Sequence, residues 1–335
     1  MAHLSSRISI LLNGALDIAV VLLVMNIQHV DCHMTQGNIM LPPGTTKYLA
    51  EIFSGRCSDY TDCTLPHSFQ CKTNPQRSLV NCTAALYEFL QAFADVDPCE
   101  VPDDAYDKIL TEAMIHSEPD ETLFWSGTME IAINIATVTS RYTSIERTLA
   151  GYILNGLTWC GQAAHGVTPT YQTSSCPRCI NGKPDASYQF WRSASRHFAA
   201  QARGDVSLLL DSTRKNGAFR NTSTFAMEEL PNIDPMKVDH VYIHLVQNVS
   251  APINTTRETC DTGSIKVLRS LLETKGLNYT CTEDDLEFMM IQCVEYQDAI
   301  PCQSLFSSAT IFTSSTSVVS MTLLSLSHLI TFLSR

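Results

Sequence analysis

Thirteen cysteines in 335 residues are the feature that most limits what this chain can fold into. Zinc modules hold their metal with paired Cys-x-x-Cys sets, and that spacing occurs here once, at Cys176-Pro-Arg-Cys179. A set of disulfides formed in an oxidising compartment is the simpler account of so many cysteines. The sequence therefore predicts a disulfide-linked protein of the secretory pathway, with no metal site.

Glycosylation sequons and charge agree with that compartment. Five Asn-x-Ser/Thr sequons predict glycosylation at Asn81, Asn221, Asn248, Asn254 and Asn278. The net charge is -12 and no run of Lys or Arg occurs, which argues against a nucleic-acid partner, since such binding needs a clustered basic surface.

The two ends have the composition of targeting segments. Residues 1–32 place Arg7 before an apolar stretch and are typical of a signal peptide, whose removal would take Cys32 and leave twelve cysteines. The alternative is an uncleaved signal anchor, which keeps Cys32. Residues 306–335 combine small residues, a polar spacer and an apolar tail, and predict a glycolipid (GPI) anchor attached at Ser307 or Ser308. The mature protein is then expected on the extracellular face of the cell membrane.

Hydrophobic spacing predicts a mixed α and β fold. Helical spacing over residues 83–94 and a helix start at Pro102, ahead of residues 105–114, make the first third helical. Later segments alternate between strands and helices, which indicates an α/β part. Its predicted strands are 205–211, 238–246, 278–282 and 288–293, and its predicted helices are 190–202 and 264–275. A small-molecule pocket is expected between the two parts.

Glu229 is the candidate catalytic acid. Because Pro231 restricts Leu230 to extended geometry, Glu229 is expected at a strand-to-loop edge. The alternative is an ordinary exposed glutamate beside Glu228. Glu146 likewise has a structural alternative, since Thr143-x-x-Glu146 has the spacing of a helix capping box. Trp159, next to a cysteine, is expected in the core.

Five motifs occur along the chain in a specific order. They are Leu123-Phe-Trp-Ser-Gly, Ser144-Ile-Glu-Arg-Thr-Leu-Ala-Gly-Tyr, Leu157-Thr-Trp-Cys-Gly, Phe190-Trp and Ser223-Thr-Phe-Ala-Met-Glu-Glu-Leu-Pro-Asn. Together they resemble the ADP-ribosyl cyclase / NAD glycohydrolase family of ectoenzymes, over about residues 55–303.

The resemblance implies a two-domain fold, with an active-site cleft between the domains. Residues 33–118 plus 144–202 would form a mainly helical domain, and 119–143 plus 203–305 an α/β domain with a short parallel sheet flanked by helices. The implied disulfides are Cys57–Cys82, Cys99–Cys179, Cys160–Cys176, Cys260–Cys281 and Cys293–Cys302, and Cys63–Cys71 becomes a sixth.

The resemblance also assigns site residues and an activity. Glu229 becomes the catalytic glutamate and Glu146 the second acidic residue. The remaining positions implied to bind substrate are Trp125, Trp191, Ser126, Ser195, Thr224 and Phe225. The implied reaction releases nicotinamide from NAD, giving ADP-ribose and some cyclic ADP-ribose without a cofactor. NADP is a second candidate substrate and a homodimer a candidate assembly. The alternative is a catalytically silent GPI-anchored receptor or adhesion domain of the same fold.

Four positions depart from the family pattern. Thr224 stands where a cyclizing member has a bulky aromatic residue, which favours hydrolysis. Gly127 stands where mammalian members place an arginine that holds phosphate. Met129 replaces a lysine linked to the handling of cyclic ADP-ribose, and Arg147 replaces an acid.

Overall fold

The computed structural model describes residues 44–62, 80–94, 96–160, 183–250 and 256–311, together with Cys176 and Cys179. The predicted signal peptide, the Cys63–Cys71 pair, Asn254 and residues 312–335 of the predicted anchor signal lie outside this part. Among the described helices, none has the length and apolar character needed to cross a membrane.

Helices dominate the first half of the described chain, and strands enter between them from residue 123 onward. The helices are α1 (Leu49–Thr61), α2 (Cys82–Gln91), α3 (Glu112–Ile115), α4 (Met129–Thr139), α5 (Leu149–Leu154), α6 (Ala186–Gln201), α7 (Leu230–Asn232), α8 (Gly263–Lys275), α9 (Leu286–Glu295) and α10 (Ile300–Ile311). A 3₁₀ turn, Ile145–Arg147, precedes α5, and a π-helix, Phe225–Glu229, runs directly into α7.

Four strands form a parallel sheet in the order β1-β2-β3-β4. They are β1 (Leu123–Ser126), β2 (Gly204–Asp211), β3 (Val238–Val246) and β4 (Tyr279–Glu283). β2 from Val206 onward and β3 from Ile243 onward are buried on both faces, which fits the mainly apolar sequence of these two stretches. The fold is thus α+β, with helices and a short parallel sheet. The division into a helical domain and an α/β domain at the boundaries given above stays a prediction.

One hydrophobic core continues from the helices to the sheet. In its helical part Trp159 is fully buried, edge-on to Phe89 with ring centroids 5.0 Å apart. The Trp159 indole N–H donates to the Tyr106 hydroxyl at 2.9 Å, and that hydroxyl donates to the Ala186 carbonyl at 2.9 Å. The polar atoms of both aromatic residues are therefore paired inside the core. The prediction that Trp159 is a core residue is confirmed.

Several predicted elements are confirmed by the structure. Helices α2, α6 and α8 and strands β2, β3 and β4 lie where the apolar spacing places them. Helix α8 ends at Gly276, which adopts the left-handed conformation that glycine allows at little cost. Asn81 is exposed and caps α2, since its side-chain oxygen accepts from the Ala84 N–H at 3.0 Å.

Two predicted elements are wrong. Residues 288–293 are helical and not a strand, because Asp285 caps α9 and the buried Phe288 and Gln292 lie one helical turn apart. Residues 105–114 do not form one helix. Backbone bonds of the tighter i to i+3 type, such as Ile109 N–H to the Tyr106 carbonyl, form turns there. Only α3 is helical in that segment.

Five disulfides cross-link the described part of the chain. The described residues contain Cys57–Cys82, Cys99–Cys179, Cys160–Cys176, Cys260–Cys281 and Cys293–Cys302. These are the pairs that the family resemblance implies within the described residues. The pair with the greatest sequence separation, Cys99–Cys179, joins residues 80 positions apart. A disulfide that closes such a long loop reduces the number of conformations open to the unfolded chain and so stabilises the folded state.

Candidate active site

A cavity of about 290 Å³ opens at the carboxyl end of β1. All eight predicted site residues line it: Trp125, Ser126, Glu146, Trp191, Ser195, Thr224, Phe225 and Glu229. They come from β1, the 3₁₀ turn, α6 and the π-helix with the residue before it, so segments distant in sequence meet here. Ligand sites in parallel sheets usually lie at the carboxyl ends of the strands.

Glu229 ends the π-helix, and its predicted position at a strand-to-loop edge is wrong. Leu230 is helical, with φ -52° and ψ -43°, and is followed by Pro231 in the first turn of α7. Proline is tolerated there because the first N–H groups of a helix lack a partner within it. The π-helix holds Phe225 in the core against Phe124, with ring centroids 5.9 Å apart. Glu229 is therefore held by a packed element.

The carboxylate of Glu229 is buried and only partly satisfied. Its Oε1 accepts a hydrogen bond from Ser195 Oγ at 2.9 Å, whereas Oε2 has no hydrogen-bond partner among the described residues. Burial raises the pKa of Glu229 to about 8, the Ser195 bond opposes this rise, and the charges of Glu146 and Glu228 add to it. An acid with its pKa raised into the neutral range in a cavity is a candidate functional group.

Glu228, the neighbouring residue, has the opposite environment. Its carboxylate accepts from Arg192 Nε at 2.6 Å and pairs with an Arg196 guanidinium nitrogen at 3.0 Å. Both arginines lie on α6, and Glu228 does not line the cavity. Glu228 therefore ties the π-helix to α6. The alternative of an exposed Glu229 is excluded, since both side chains are buried.

Glu146 faces the cavity and does not form the capping box that its spacing favours. Its two carboxylate oxygens accept from the Trp125 indole N–H at 3.1 and 3.2 Å. Burial raises the pKa of Glu146, and the Trp125 bond opposes that rise. Helix α5 packs directly under this turn, because a Cβ built on Gly151 would lie 1.9 Å from the Ile145 carbonyl oxygen. Gly151 therefore permits the close packing that positions Glu146.

The two tryptophans contribute aromatic surface to the cavity. Trp125 and Trp191 are both half-buried, and Trp191 lies on α6 one helical turn before Ser195. Trp191 packs edge-on to the buried Phe190, with ring centroids 5.2 Å apart. Trp125 packs against the cluster that contains Leu123 and Leu209, so both indoles are partly packed and still line the cavity.

Seven further residues line the same cavity; two of them, Gly127 and Met129, were noted in the sequence only as departures from the family pattern, and the other five were missed. They are Gly127, Met129, Ile145, Asn155, Tyr188, Arg220 and Ser223. Three of the cavity's polar atoms are buried without a hydrogen-bond partner among the described residues: Ser126 Oγ, Arg220 Nε and Glu229 Oε2. Unpaired buried groups are costly, so this cavity fits a polar ligand that satisfies them. Tyr188 could have been found from the sequence, since it lies one helical turn before the predicted site residue Trp191 on α6.

Within the described residues, no cluster of His, Cys, Asp and Glu could hold a metal ion. The predicted glycosylation sites Asn81, Asn221 and Asn278 are exposed, and Asn248 is half-buried.

The chain is similar to the proteins of one known family. The family model described as ADP-ribosyl cyclase matches residues 46–302. The ADP-ribosyl cyclase/cyclic ADP-ribose hydrolase of Aplysia californica is 30% identical over 259 residues, covering 77% of this chain and 87% of that protein. The human ADP-ribosyl cyclase/cyclic ADP-ribose hydrolase 2 is 30% identical over 263 residues, covering 77% of this chain and 76% of that protein.

Solved structures show the same similarity. An Aplysia cyclase complexed with the substrate NGD and the product cGDPR has a TM-score of 0.64 at 28% identity, covering 77% of this chain and 98% of that one. A structure of CD38 described as a covalent enzyme-substrate complex has a TM-score of 0.60 at 28% identity, covering 74% of this chain and 96% of that one.

Proposed function

Because the chain belongs to the ADP-ribosyl cyclase family and is an NAD-converting enzyme, we propose that it cleaves the nicotinamide–ribose bond of NAD through Glu229. The observation that carries this proposal is the cavity in which a buried carboxylate with an unpaired oxygen faces two indole rings and a second carboxylate. The products are nicotinamide and ADP-ribose, with a fraction of cyclic ADP-ribose. NAD is the substrate, and the reaction needs no further cofactor.

The chemical need is to stabilise a developing positive charge. When the bond between ribose C1′ and nicotinamide breaks, its electrons neutralise the pyridinium nitrogen, so the leaving group needs no proton. The ribose is left as an oxocarbenium-like centre, which a nearby carboxylate stabilises as in glycoside hydrolysis. Glu229 has a free oxygen for this contact, and the cationic substrate favours its ionised form.

The other side chains orient the substrate. Trp125 and Trp191 offer aromatic faces to the cationic pyridinium, which such faces attract more than the neutral nicotinamide that departs. Glu146 accepts a hydrogen bond from the carboxamide N–H of nicotinamide, while the Trp125 indole N–H holds the same carboxylate in place. Ser126 Oγ, which is buried without a protein partner, hydrogen-bonds to the substrate.

Two nucleophiles compete for the ribosyl centre. Attack by water at C1′ gives ADP-ribose and releases a proton, whereas attack by the folded-back adenine ring gives cyclic ADP-ribose. The ratio depends on how well the cavity excludes water and holds the adenine.

Thr224→Phe is expected to raise the fraction of cyclic product. Thr224 lines the cavity and is partly exposed, so an aromatic ring there would displace water and support the folded adenine. Chromatographic separation of the products from NAD measures the ratio. Thr222→Phe, at an exposed position that does not line this cavity, is the matched control. An unchanged ratio in the Thr224 variant would refute this role.

The direct test of the proposed function is the release of nicotinamide when the purified extracellular part is mixed with NAD. Release at a rate proportional to protein concentration supports the enzyme. A receptor or adhesion domain of the same fold would bind NAD or another ligand without releasing nicotinamide. The intact acids and tryptophans of the cavity favour the enzyme.

We propose that this activity lies on the outer face of the cell membrane, held by a glycolipid anchor. The support is the run of small residues, polar spacer and apolar tail over residues 306–335, together with the disulfides. Phosphatidylinositol-specific phospholipase C is expected to release the protein from intact cells. If all of it stays on the cells while a known anchored protein is released, the anchor proposal is wrong.

A further inference from the structure

We propose that Arg214 and Arg220 form an anion subsite that holds the pyrophosphate of the dinucleotide. Both lie on the segment between β2 and the π-helix, and neither was singled out in the sequence. This inference rests on the proposed function, and it adds the residues that orient the substrate by charge.

Arg220 lies inside the cavity that contains Glu229. It lines this cavity together with Trp191, Ser195 and Ser126. Its Nε is buried and has no hydrogen-bond partner among the described residues. A buried guanidinium N–H without an acceptor is costly, so a ligand oxygen that accepts from it would stabilise this arrangement.

Arg214 lies against Gly127, which lines the same cavity. A Cβ built on Gly127 would lie 1.5 Å from a terminal guanidinium nitrogen of Arg214, so this group fills the space above the glycine. Arg214 lines an adjoining cavity of about 450 Å³, which shares Trp125, Gly127 and Met129 with the first cavity. The guanidinium of Arg214 is thus at the junction of the two cavities, where a ligand longer than the first cavity would continue.

The two cations lack compensating charge in the protein. Among the described residues, neither side chain forms an ion pair or a hydrogen bond. Burial, and then the nearby charge of Arg214, lower the pKa of Arg220, so the two guanidinium groups repel each other. A pyrophosphate carries two negative charges and accepts charge-assisted hydrogen bonds in the geometry that guanidinium groups offer.

The segment that carries the arginines is fastened at several points. The Ala218 N–H donates to a Glu258 carboxylate oxygen at 2.8 Å, and the Phe219 N–H donates to Ser264 Oγ at 2.9 Å. Ala218 and Phe219 are also buried. Because the backbone before Arg220 is held in this way, the binding site loses little conformational freedom when an anion arrives.

Charge complementarity then fixes the direction of the substrate. NAD has a cationic pyridinium at one end and an anionic pyrophosphate beyond the first ribose. The carboxylates of Glu146 and Glu229 attract the pyridinium, and the guanidinium groups attract the pyrophosphate. The reversed orientation would place phosphate beside carboxylates, which like charge disfavours. The subsite therefore also accounts for how a chain with Gly127 holds phosphate.

The test separates the two halves of the substrate. Arg214→Gln, Arg220→Gln and the double variant are each expected to raise the KM for NAD about tenfold or more, with a much smaller change in kcat. Inhibition by ADP-ribose, which carries the pyrophosphate, is expected to weaken by the same factor. The inhibition constant of nicotinamide, which lacks the pyrophosphate, is expected to stay within about twofold of the wild-type value.

Controls distinguish charge from folding. Lys215→Ala removes an exposed cation next to Arg214 and is expected to leave all these constants unchanged. Arg214→Lys and Arg220→Lys keep the charge and are expected to give intermediate KM values. A KM for NAD that rises with salt in the wild type, but less in the double variant, would further support a subsite that acts through charge.

Each outcome decides the question. If the wild type turns NAD over and the Gln variants keep its KM, the subsite is excluded while the proposed function stands. If only the KM for NADP changes, the guanidinium groups contact the 2′-phosphate, and the proposal is wrong. If the wild type releases no nicotinamide, the proposed function fails. Calorimetry with ADP-ribose on wild type and double variant then tests the subsite alone, and equal affinities would exclude it.

Discussion

Glu229→Gln is expected to lower kcat/KM for nicotinamide release from NAD about a hundredfold or more. Glutamine has the shape of glutamate and can keep the hydrogen bond from Ser195 Oγ, but it has no negative charge for the oxocarbenium-like centre. The measurement is the initial rate of nicotinamide release over a range of NAD concentrations. A fall of less than about tenfold, equivalent to roughly 1.4 kcal/mol, would mean that Glu229 is not the catalytic group.

Glu228→Gln is the matched comparison, because the two residues are adjacent and both buried. Glu228 pairs with Arg192 and Arg196, so its neutralisation should lower the melting temperature, while nicotinamide release above about pH 8, where Glu229 is ionised in both proteins, is largely kept.

Glu229→Gln should have the opposite effect on stability. The pKa of Glu229 is about 8 in the folded protein against an ordinary value of 4.5, so the folded state holds a proton that the unfolded state releases. The contribution of this group to the free energy of unfolding is fully present below pH 4.5 and falls as the pH rises toward 8. At pH 7 the free energy of unfolding is lower by roughly 3 kcal/mol than it would be with the proton bound in both states. The variant should therefore be more stable than the wild type at pH 8, and similar to it near pH 4.5.

The pH dependence of the reaction is expected to be equally large. Below its pKa of about 8, Glu229 is mostly protonated in the free enzyme and cannot supply the charge that the transition state needs. The value of kcat/KM for NAD should therefore rise close to tenfold per pH unit between about pH 6 and 7.5, and level off above about pH 8. A series of initial rates at low NAD concentration across this range measures the profile.

Glu146→Gln tests the cause of that profile. The charge of Glu146 contributes to the raised pKa of Glu229, so removing it should lower that pKa and move the rising limb to lower pH. The overall rate should also fall, since a neutral amide oxygen is a weaker acceptor for the carboxamide N–H than a carboxylate. A profile that is flat from pH 5 to 8 in the wild type would contradict the assignment of Glu229 as the group whose ionisation controls the rate.

Sequence reasoning predicted the sheet better than the helices around it. The carboxyl-terminal parts of β2 and β3 are buried on both faces, and their runs of apolar residues, rich in Leu, Val and Ile, favour a buried strand. Residues 288–293 are also apolar and short, and such a run does not distinguish a strand from a buried helix face. Leu230 was misassigned because the usual effect of a following proline is overridden by the packed π-helix before it.

The candidate site was predicted from ordered motifs and not from periodicity. Taken alone, the spacing around Glu146 favours a helix cap, and only the family resemblance assigned it to the site. Arg214 and Arg220 were missed for a physical reason. Their segment is irregular, and its approach to the cavity depends on contacts with Glu258 and Ser264, which are distant in sequence. The one feature of the sequence that pointed to a different phosphate site was Gly127, which stands where mammalian members place an arginine.

The guanidinium of Arg214 above Gly127 also limits which sequences can evolve from this one. A side chain at position 127 must displace that guanidinium and adopt the left-handed backbone, with φ 76°. An arginine at 127 and one at 214 would therefore compete for one volume. Substitutions at the two positions should be epistatic, each tolerated or harmful according to its partner, so that lineages pass between the two arrangements through paired changes.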